Sequence, residues 1–224
     1  MAAKDLLGYR QTVFTRGFSG KEWLMHHSIQ EDNYMFLAMD ENWTTILPQE
    51  AKKLGNGYLV VNFPNSITGY VSIFRLTPLL NFQIINVNDT NIVNFYHKFN
   101  PPDFIVQTWD SDGYLVLPKT IQKDTQICTV EFDHNFTGTI CCVFITNEVR
   151  YFTDEIAWQY IHRIQISRGC ILLQADDKNN QVILPLEEKR FDSDIKTSFD
   201  NFIELDWSLN QSGKLLNIIH GYNI

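Results

Sequence analysis

One pattern of residues occurs three times along this chain of 224 residues. In each occurrence an aromatic residue is followed six positions later by a glycine, and a threonine or serine precedes that glycine. The three pairs are Phe63 and Gly69, Phe132 and Gly138, and Trp207 and Gly213. Because self-similarity at a fixed period is the signature of repeated architectures, this spacing predicts that whole structural units recur.

Three further landmarks precede each aromatic–glycine pair in the same order: a histidine near an aromatic residue, an aspartate in a polar turn, and a proline preceded by leucine. The histidines are His27, His97 and His162; the aspartates are Asp40, Asp110 and Asp177; the prolines are Pro48, Pro118 and Pro185. The spacing from histidine to aspartate is 13, 13 and 15 residues. The recurring unit therefore covers about fifty to sixty residues.

Between these landmarks the sequence is typical of antiparallel β-structure. Apolar segments of strand length precede the aspartates, and the turns contain Asp, Asn and Gly. The stretches Val61–Phe74, Val130–Phe144 and Leu205–Ile218 are interpreted as hairpins, with the aromatic residue in the core and the glycine at the exit of the turn. Helical periodicity is nearly absent, and the best short helical candidate is Asp154–Ile161. We predict an all-β fold of three tandem small antiparallel β-sandwich units related by an internal repeat.

The predicted units span residues 1–77, 78–147 and 148–224. The third differs by a polar insertion near residues 186–201, expected to be a surface loop or one helical turn. Units this small bury little apolar surface. We therefore expect the three to pack on each other or on copies of the chain in an oligomer.

The residues give no support for enzymatic chemistry. The chain has no nucleophile elbow and no glycine-rich phosphate loop. The acidic pairs Asp176–Asp177 and Glu187–Glu188 are interpreted as solvated. Four cysteines lack metal-ligand spacing: Cys128 could face Cys141 or Cys142 across a hairpin, while buried reduced thiols are the favoured interpretation. We predict no catalytic residue, no cofactor and no metal.

The recurring polar residues are given structural roles. Histidines acting as bases or ligands would need convergent partners, whereas one histidine per unit places them far apart. A hydrogen bond from the imidazole to the backbone or to the turn aspartate, worth about 1 kcal/mol, fits better. The aspartates are expected to hold their turns.

Three aromatic residues beside the turns could instead form a binding face for a sugar or a partner, namely Trp43, Trp109 and Tyr114. Packing against the neighbouring unit is the favoured alternative.

Charge and hydropathy limit the remaining classes. The net charge is −8 with no dense basic block, which disfavours a nucleic-acid partner. The chain contains no run of eighteen apolar residues, so no membrane span is predicted. The first ten residues lack the apolar core of a signal peptide, so folding in a cytoplasm is expected.

The recurring phrase of histidine, aspartate turn, Leu-Pro and aromatic-to-glycine segment resembles small β-sandwich modules that occur in tandem in virion proteins of tailed bacteriophages. The resemblance covers nearly the whole chain, and the Asn-rich and Ile-rich composition would suit a crAss-like phage. The chain departs from the usual pattern in its third-unit insertion and in lacking a glycine after the first two histidines.

The resemblance implies a non-enzymatic structural virion protein: a neck or tail ring, a collar or a fibre-attachment component, made in the host cytoplasm. Its implied partners are copies of itself and other virion proteins. The alternative is a glycan- or receptor-binding module at a fibre tip. A phage-encoded inhibitor of a host protein is a third class.

Overall fold

A computed structural model describes residues 13–27, 29, 34–41, 45–76, 82–99, 102–144, 149–162, 169–191 and 201–221. Within these ranges the regular structure is entirely β, and all strand pairs are antiparallel. The all-β prediction is confirmed.

The strands form three separate sheets, which follow one another along the chain. Sheet A contains β1 (Val13–His26), β2 (Tyr34–Asp40), β3 (Glu50–Gly55) and β4 (Tyr58–Arg75). Sheet B contains β5 (Phe82–Tyr96), β6 (Phe104–Asp110), β7 (Thr120–Lys123) and β8 (Ile127–Phe144). Sheet C contains β9 (Val149–His162), β10 (Gly169–Asp177), β11 (Val182–Ile183), β12 (Glu187–Phe191) and β13 (Asn201–Gly221). Each sheet lies inside one of the three predicted residue ranges.

The last and longest strand organises each sheet. In sheet A, β4 pairs with β1 along one edge. Along its other edge it pairs first with β3 and then with β2. In sheet B, β8 has the same arrangement with β5, β7 and β6. In sheet C, β13 pairs with β9 along one edge and with β12 and then β10 along the other. The short β11 pairs with β10.

The predicted hairpins inside these long segments are wrong. Residues 58–75 form one strand, as do 127–144 and 201–221. The turn-like residues instead occupy a register shift: Asn62 pairs with Glu22 and Ile67 with Gly20, so residues 63–66 face a single residue of β1. Matching shifts occur in β8 and β13. The glycines therefore lie within strands and not at turn exits.

Burial changes along each long strand. The first half of β4 alternates, with Leu59, Val61 and Phe63 buried and their neighbours more exposed. From Val71 to Phe74 every residue is buried, and Ile140 to Val143 in β8 show the same run. A strand buried on both faces packs against a second layer. One apolar cluster indeed joins residues of all three sheets, including Val71, Val143 and Leu216.

Two further predictions for the third unit are corrected. The helical candidate Asp154–Ile161 lies in β9, because it pairs with β13 and turns Trp158 onto Phe152 and Trp207. Part of the predicted polar insertion, Glu187–Phe191, is strand β12, paired with β13. Residues 192–200 lie outside the described part of the chain.

Candidate functional site

The recurring aspartates close the turns after β6 and β10. Asp110 Oδ1 accepts hydrogen bonds from the backbone N–H groups of Asp112 (2.9 Å) and Tyr114 (2.7 Å). Asp177 Oδ1 accepts from those of Asn179 (2.8 Å) and Gln181 (2.9 Å). Such side-chain-to-backbone bonds define an Asx turn. Asp40 ends β2 at the matching place, but residues 42–44 of its turn lie outside the described ranges.

The recurring glycines let two backbones approach each other beside these turns. Gly69, Gly138 and Gly213 pair with Asp40, Asp110 and Asp177 respectively. A Cβ on Gly69 would lie 2.0 Å from the carbonyl oxygen of Met39, and one on Gly138 would lie 2.1 Å from that of Trp109. Glycine is needed at these positions for space.

The recurring aromatics enter the cores. Phe63 packs on Trp23, Phe132 stacks on Phe136, and Trp207 packs on Trp158. The recurring prolines are half-buried and lie in irregular segments after the turns: Pro48, Pro118 and Pro185. The residue after each proline donates its backbone N–H to the last, longest strand of the same sheet.

Of the recurring histidines, His27 and His97 are buried and contact the backbone. His97 Nε2 lies 2.8 Å from the carbonyl oxygen of Asp124, and Ile29 N–H donates to His27 Nδ1 at 3.3 Å. These partners belong to the backbone and not to a turn aspartate. His162 ends β9, and its side chain lies outside the described part of the structure.

Neighbouring sheets A and B meet through backbone and side-chain contacts. Lys53 N–H donates to the carbonyl oxygen of Gly113 (2.8 Å), and Leu115 N–H donates to that of Ala51 (2.8 Å). Gln107 reaches from β6 to β2, where it accepts from Phe36 N–H (3.1 Å) and donates to Phe36 O (3.2 Å). Strand β3 of sheet A thus docks on the aspartate turn of sheet B.

Two of the predicted binding-face aromatics belong to this junction. Trp109 is 1% exposed, and the Lys53 ammonium lies 4.1 Å from its ring centroid. Lys52 lies 4.0 Å from the centroid of half-buried Tyr114. Trp109 cannot stack on a ligand, because the neighbouring sheet already covers it. Trp43 lies outside the described residues.

Sheets B and C repeat this docking with different chemistry. Lys123 N–H donates to the carbonyl oxygen of Asn180 at 3.1 Å. Gln174 of β10 accepts from Val106 N–H at 2.9 Å and donates to Phe104 O at 3.0 Å. Here β7 of sheet B lies beside the aspartate turn of sheet C.

A buried ion pair occupies this second junction. Lys123 Nζ lies 2.8 Å from Asp176 Oδ1 and 2.6 Å from Oδ2, and both side chains are 0% exposed. Burial lowers the pKa of Lys123 and raises the pKa of Asp176, since removal from water disfavours either charge. Lys214 and Asp103 form a second buried pair nearby. The prediction that Asp176 is solvated is wrong, because β10 turns it towards sheet B.

Sheets C and A also touch. Thr45 Oγ1 donates to Glu188 Oε1 at 2.6 Å, joining the segment after β2 to β12. The Thr45–Glu188 contact occupies the same place as the Leu115–Ala51 contact of the first junction. Thr45 and Leu115 each lie five residues after a turn aspartate. Glu188 and Ala51 each pair with the residue two before the recurring aromatic. Glu188 is half-buried at this junction and is therefore not simply solvated. Contacts thus join sheet A to B, B to C and C to A, so that each sheet touches the other two.

The recurring leucine before each proline points outward. Leu47 and Leu117 are each 60% exposed, and Leu184 is 71% exposed. An isolated exposed leucine needs no explanation. Exposure at three matching positions is a pattern that core packing does not require.

A surface depression lies at the edge of sheet C. It is lined by Tyr151, Phe152, Lys178, Asn180 and Ser212, among others. The Tyr151 side chain is 73% exposed. The depression thus combines an accessible aromatic ring with polar groups.

The cysteines with described side chains are reduced and buried. Cys128, Cys141 and Cys142 are free. Burial raises the pKa of the Cys128 thiol to about 12 and also raises the pKa values of the other two. The interpretation as buried reduced thiols is confirmed for these three; the Cys170 side chain is outside the described part.

The described residues contain neither a metal-ligand cluster nor a membrane-spanning helix. No three His, Cys, Asp or Glu side chains there group as metal ligands would. That part of the chain likewise contains no helix with the length and apolarity to cross a bilayer.

No family model, no curated protein and no solved structure matches this chain.

Proposed function

We propose that this protein is a non-enzymatic assembly component of a tailed-phage virion, a docking adaptor in a neck, collar or fibre attachment. In this proposal its three sheets are copies of one unit, closed head to tail with approximate threefold symmetry. The virion assignment is supported by the sequence resemblance. The adaptor role is supported by the exposed leucines at matching positions.

The observation that carries the docking role is the exposure of Leu47, Leu117 and Leu184. Each leucine lies in the irregular segment that follows an aspartate turn, directly before the recurring proline, and closure of the ring would relate the three positions by the same rotation. Apolar side chains left in water at equivalent places are suited to contact a partner, since burying each would contribute about 1.5–3 kcal/mol. Three weak contacts made to the same assembly at once also give a higher overall affinity than any one of them alone.

The test uses particles of the phage that encodes the chain. We expect the protein in wild-type particles, and we expect the triple variant Leu47→Ser, Leu117→Ser, Leu184→Ser to fold but to be lost from them. The matched control replaces three exposed leucines outside the pattern, Leu24, Leu54 and Leu209, by serine. Absence of the wild-type protein from particles would refute the virion role. Equal retention of both triple variants would refute docking through the leucines.

A second candidate function is glycan binding, favoured by the depression beside Tyr151. An exposed ring flanked by amide, hydroxyl and ammonium groups is suited to stack on a sugar and bind its hydroxyls. On a glycan array, Tyr151→Ala would then abolish binding. Tyr96→Ala, at a ring 75% exposed outside the depression, would leave it unchanged. No binding by the wild-type protein would eliminate this candidate.

A further inference from the structure

The buried pair at the junction of sheets B and C is in contact through both carboxyl oxygens. Lys123 Nζ approaches both carboxyl oxygens of Asp176, at 2.8 and 2.6 Å, so that the nitrogen faces the carboxyl group as a whole. The two residues come from β7 and β10, which belong to different sheets. A covalent bond here would join the two sheets directly.

Neighbouring groups fix both partners. The carbonyl oxygen of Phe104 accepts from Lys123 Nζ at 2.7 Å. Gln174 Nε2 donates to that same carbonyl at 3.0 Å and to Asp176 Oδ1 at 3.1 Å. The Phe104 ring lies 5.0 Å from Nζ, and buried Cys128 is also nearby. The amine and the carboxyl group are therefore held in contact with both side chains shielded from solvent.

We propose that Lys123 and Asp176 condense into an intramolecular isopeptide bond. Lys123 Nζ forms a bond to Asp176 Cγ, and the bond from Cγ to one carboxyl oxygen breaks. The ammonium and carboxylate first become amine and carboxylic acid by transfer of one proton. The oxygen that leaves carries away that hydrogen and one hydrogen of the amine as water. One positive and one negative charge disappear together, and no oxidant or other reactant is needed.

Three features of the site favour this step. Burial shifts the pKa of each partner towards its neutral form, and the neutral amine is the nucleophile. Contact between reacting groups can be equivalent to effective concentrations on the order of 10⁵–10⁸ M. The N–H of Gln174 points at Oδ1, where it would stabilise the negative charge that develops as nitrogen attacks.

Two other ion pairs within the described part of the chain lack this combination. Lys119 and Glu131 are also 2.8 Å apart, but their side chains are 53% and 33% exposed, so water stabilises both charges. Lys214 donates to Oδ1 of Asp103, and this pair has a hydrogen bond to that one oxygen, whereas Lys123 bonds to both oxygens of Asp176. We therefore expect a single condensation, at Lys123.

The test is the intact mass of the purified, folded wild-type protein. We expect a mass one water lower than that of the sequence. Tandem mass spectrometry of a digest should identify a branched peptide joining Lys123 to Asp176, and Lys119 and Glu131 should remain unlinked. This reading of the wild-type chain does not depend on any variant folding, nor on the proposed function.

Two variants locate the reaction. Lys123→Arg retains a cation that cannot readily act as the nucleophile, and it should have the full sequence mass. Lys119→Arg changes the matched exposed pair and should keep the deficit of one water. The full sequence mass in the wild-type protein would overturn the proposal and leave a buried ion pair. A deficit that persists in Lys123→Arg would overturn it as well, because the water would then be lost elsewhere.

Discussion

Gly69 occupies a place where a second backbone leaves no room for a side chain. Its hypothetical Cβ would meet the carbonyl oxygen of Met39 at 2.0 Å and the Cα of Asp40 at 2.8 Å. Both obstacles are main-chain atoms of β2, which cannot rotate away as a flexible side chain could. The recurring glycine is therefore explained by strand packing beside the aspartate turn.

We expect Gly69→Ala to lower the free energy of unfolding by about 1–3 kcal/mol, because β2 or β4 must shift to admit the methyl group. The measurement is chemical denaturation followed by circular dichroism. Gly17→Ala is the control, since a Cβ there first meets a Tyr70 ring carbon at an ordinary 3.5 Å. Equal stability of the two variants would contradict this explanation.

Burial also controls the thiols. With its pKa at about 12, Cys128 would be ionised in roughly one molecule in ten thousand at pH 8. In a Cys170→Ser background we expect no reaction of the three remaining thiols with Ellman's reagent while the protein is folded. All three should react after unfolding in guanidinium. Rapid release of one equivalent from the folded protein would show that a thiol is accessible.

Residue-level prediction from sequence succeeded where the cause was local. The turn aspartates bond to N–H groups two and four residues later, and turn composition reveals that. Asp176 lies one residue before such an aspartate, and its local sequence predicts the same solvated position. It is buried because its partner Lys123, 53 positions away in the chain, lies in another sheet. Trp109 was ambiguous for the same reason, because sheet A covers it.

At the scale of elements, the strands after the histidines were predictable from their apolar runs, but the long central strands were not. Pro64, Asn65 and Ser66 have the composition of a turn and here form the register shift of β4. A local sequence cannot tell whether such residues reverse the chain or bulge from it. The deciding factor is β1, which continues pairing on both sides of the shift.

Gln107 links two elements of different sheets, since its amide bonds to both the N–H and the carbonyl of Phe36. Gln107→Ala would leave those groups without these bonds at a junction, so we expect a loss of about 1–3 kcal/mol in unfolding free energy. Gln83→Ala, which removes an exposed bond within sheet B, should change stability by less than about 0.5 kcal/mol. Similar losses in both variants would mean that the junction bond contributes little.

At the scale of the whole molecule, the apolar cluster shared by the three sheets supplies burial that one unit could not provide alone. The sequence left open whether such packing is internal or between copies of the chain. The contacts of Lys53, Lys123 and Thr45 place all three junctions within one chain. Each sheet is thus in contact with both of the others.

This closure leads to an expectation for solution mass. Light scattering at micromolar concentration should give a monomer of 26.2 kDa, because strands β3 and β7 and residue Glu188 of β12 already contact sheets of the same chain. Glu188→Lys removes the acceptor for Thr45 and should free one end of the ring, so that species larger than the monomer appear with rising concentration. Glu155→Lys makes the same charge change at an exposed position of β9 and should remain monomeric. A stable wild-type oligomer would instead favour assembly from copies of the chain, and a monomeric Glu188→Lys variant would show that the shared core alone keeps the ring closed.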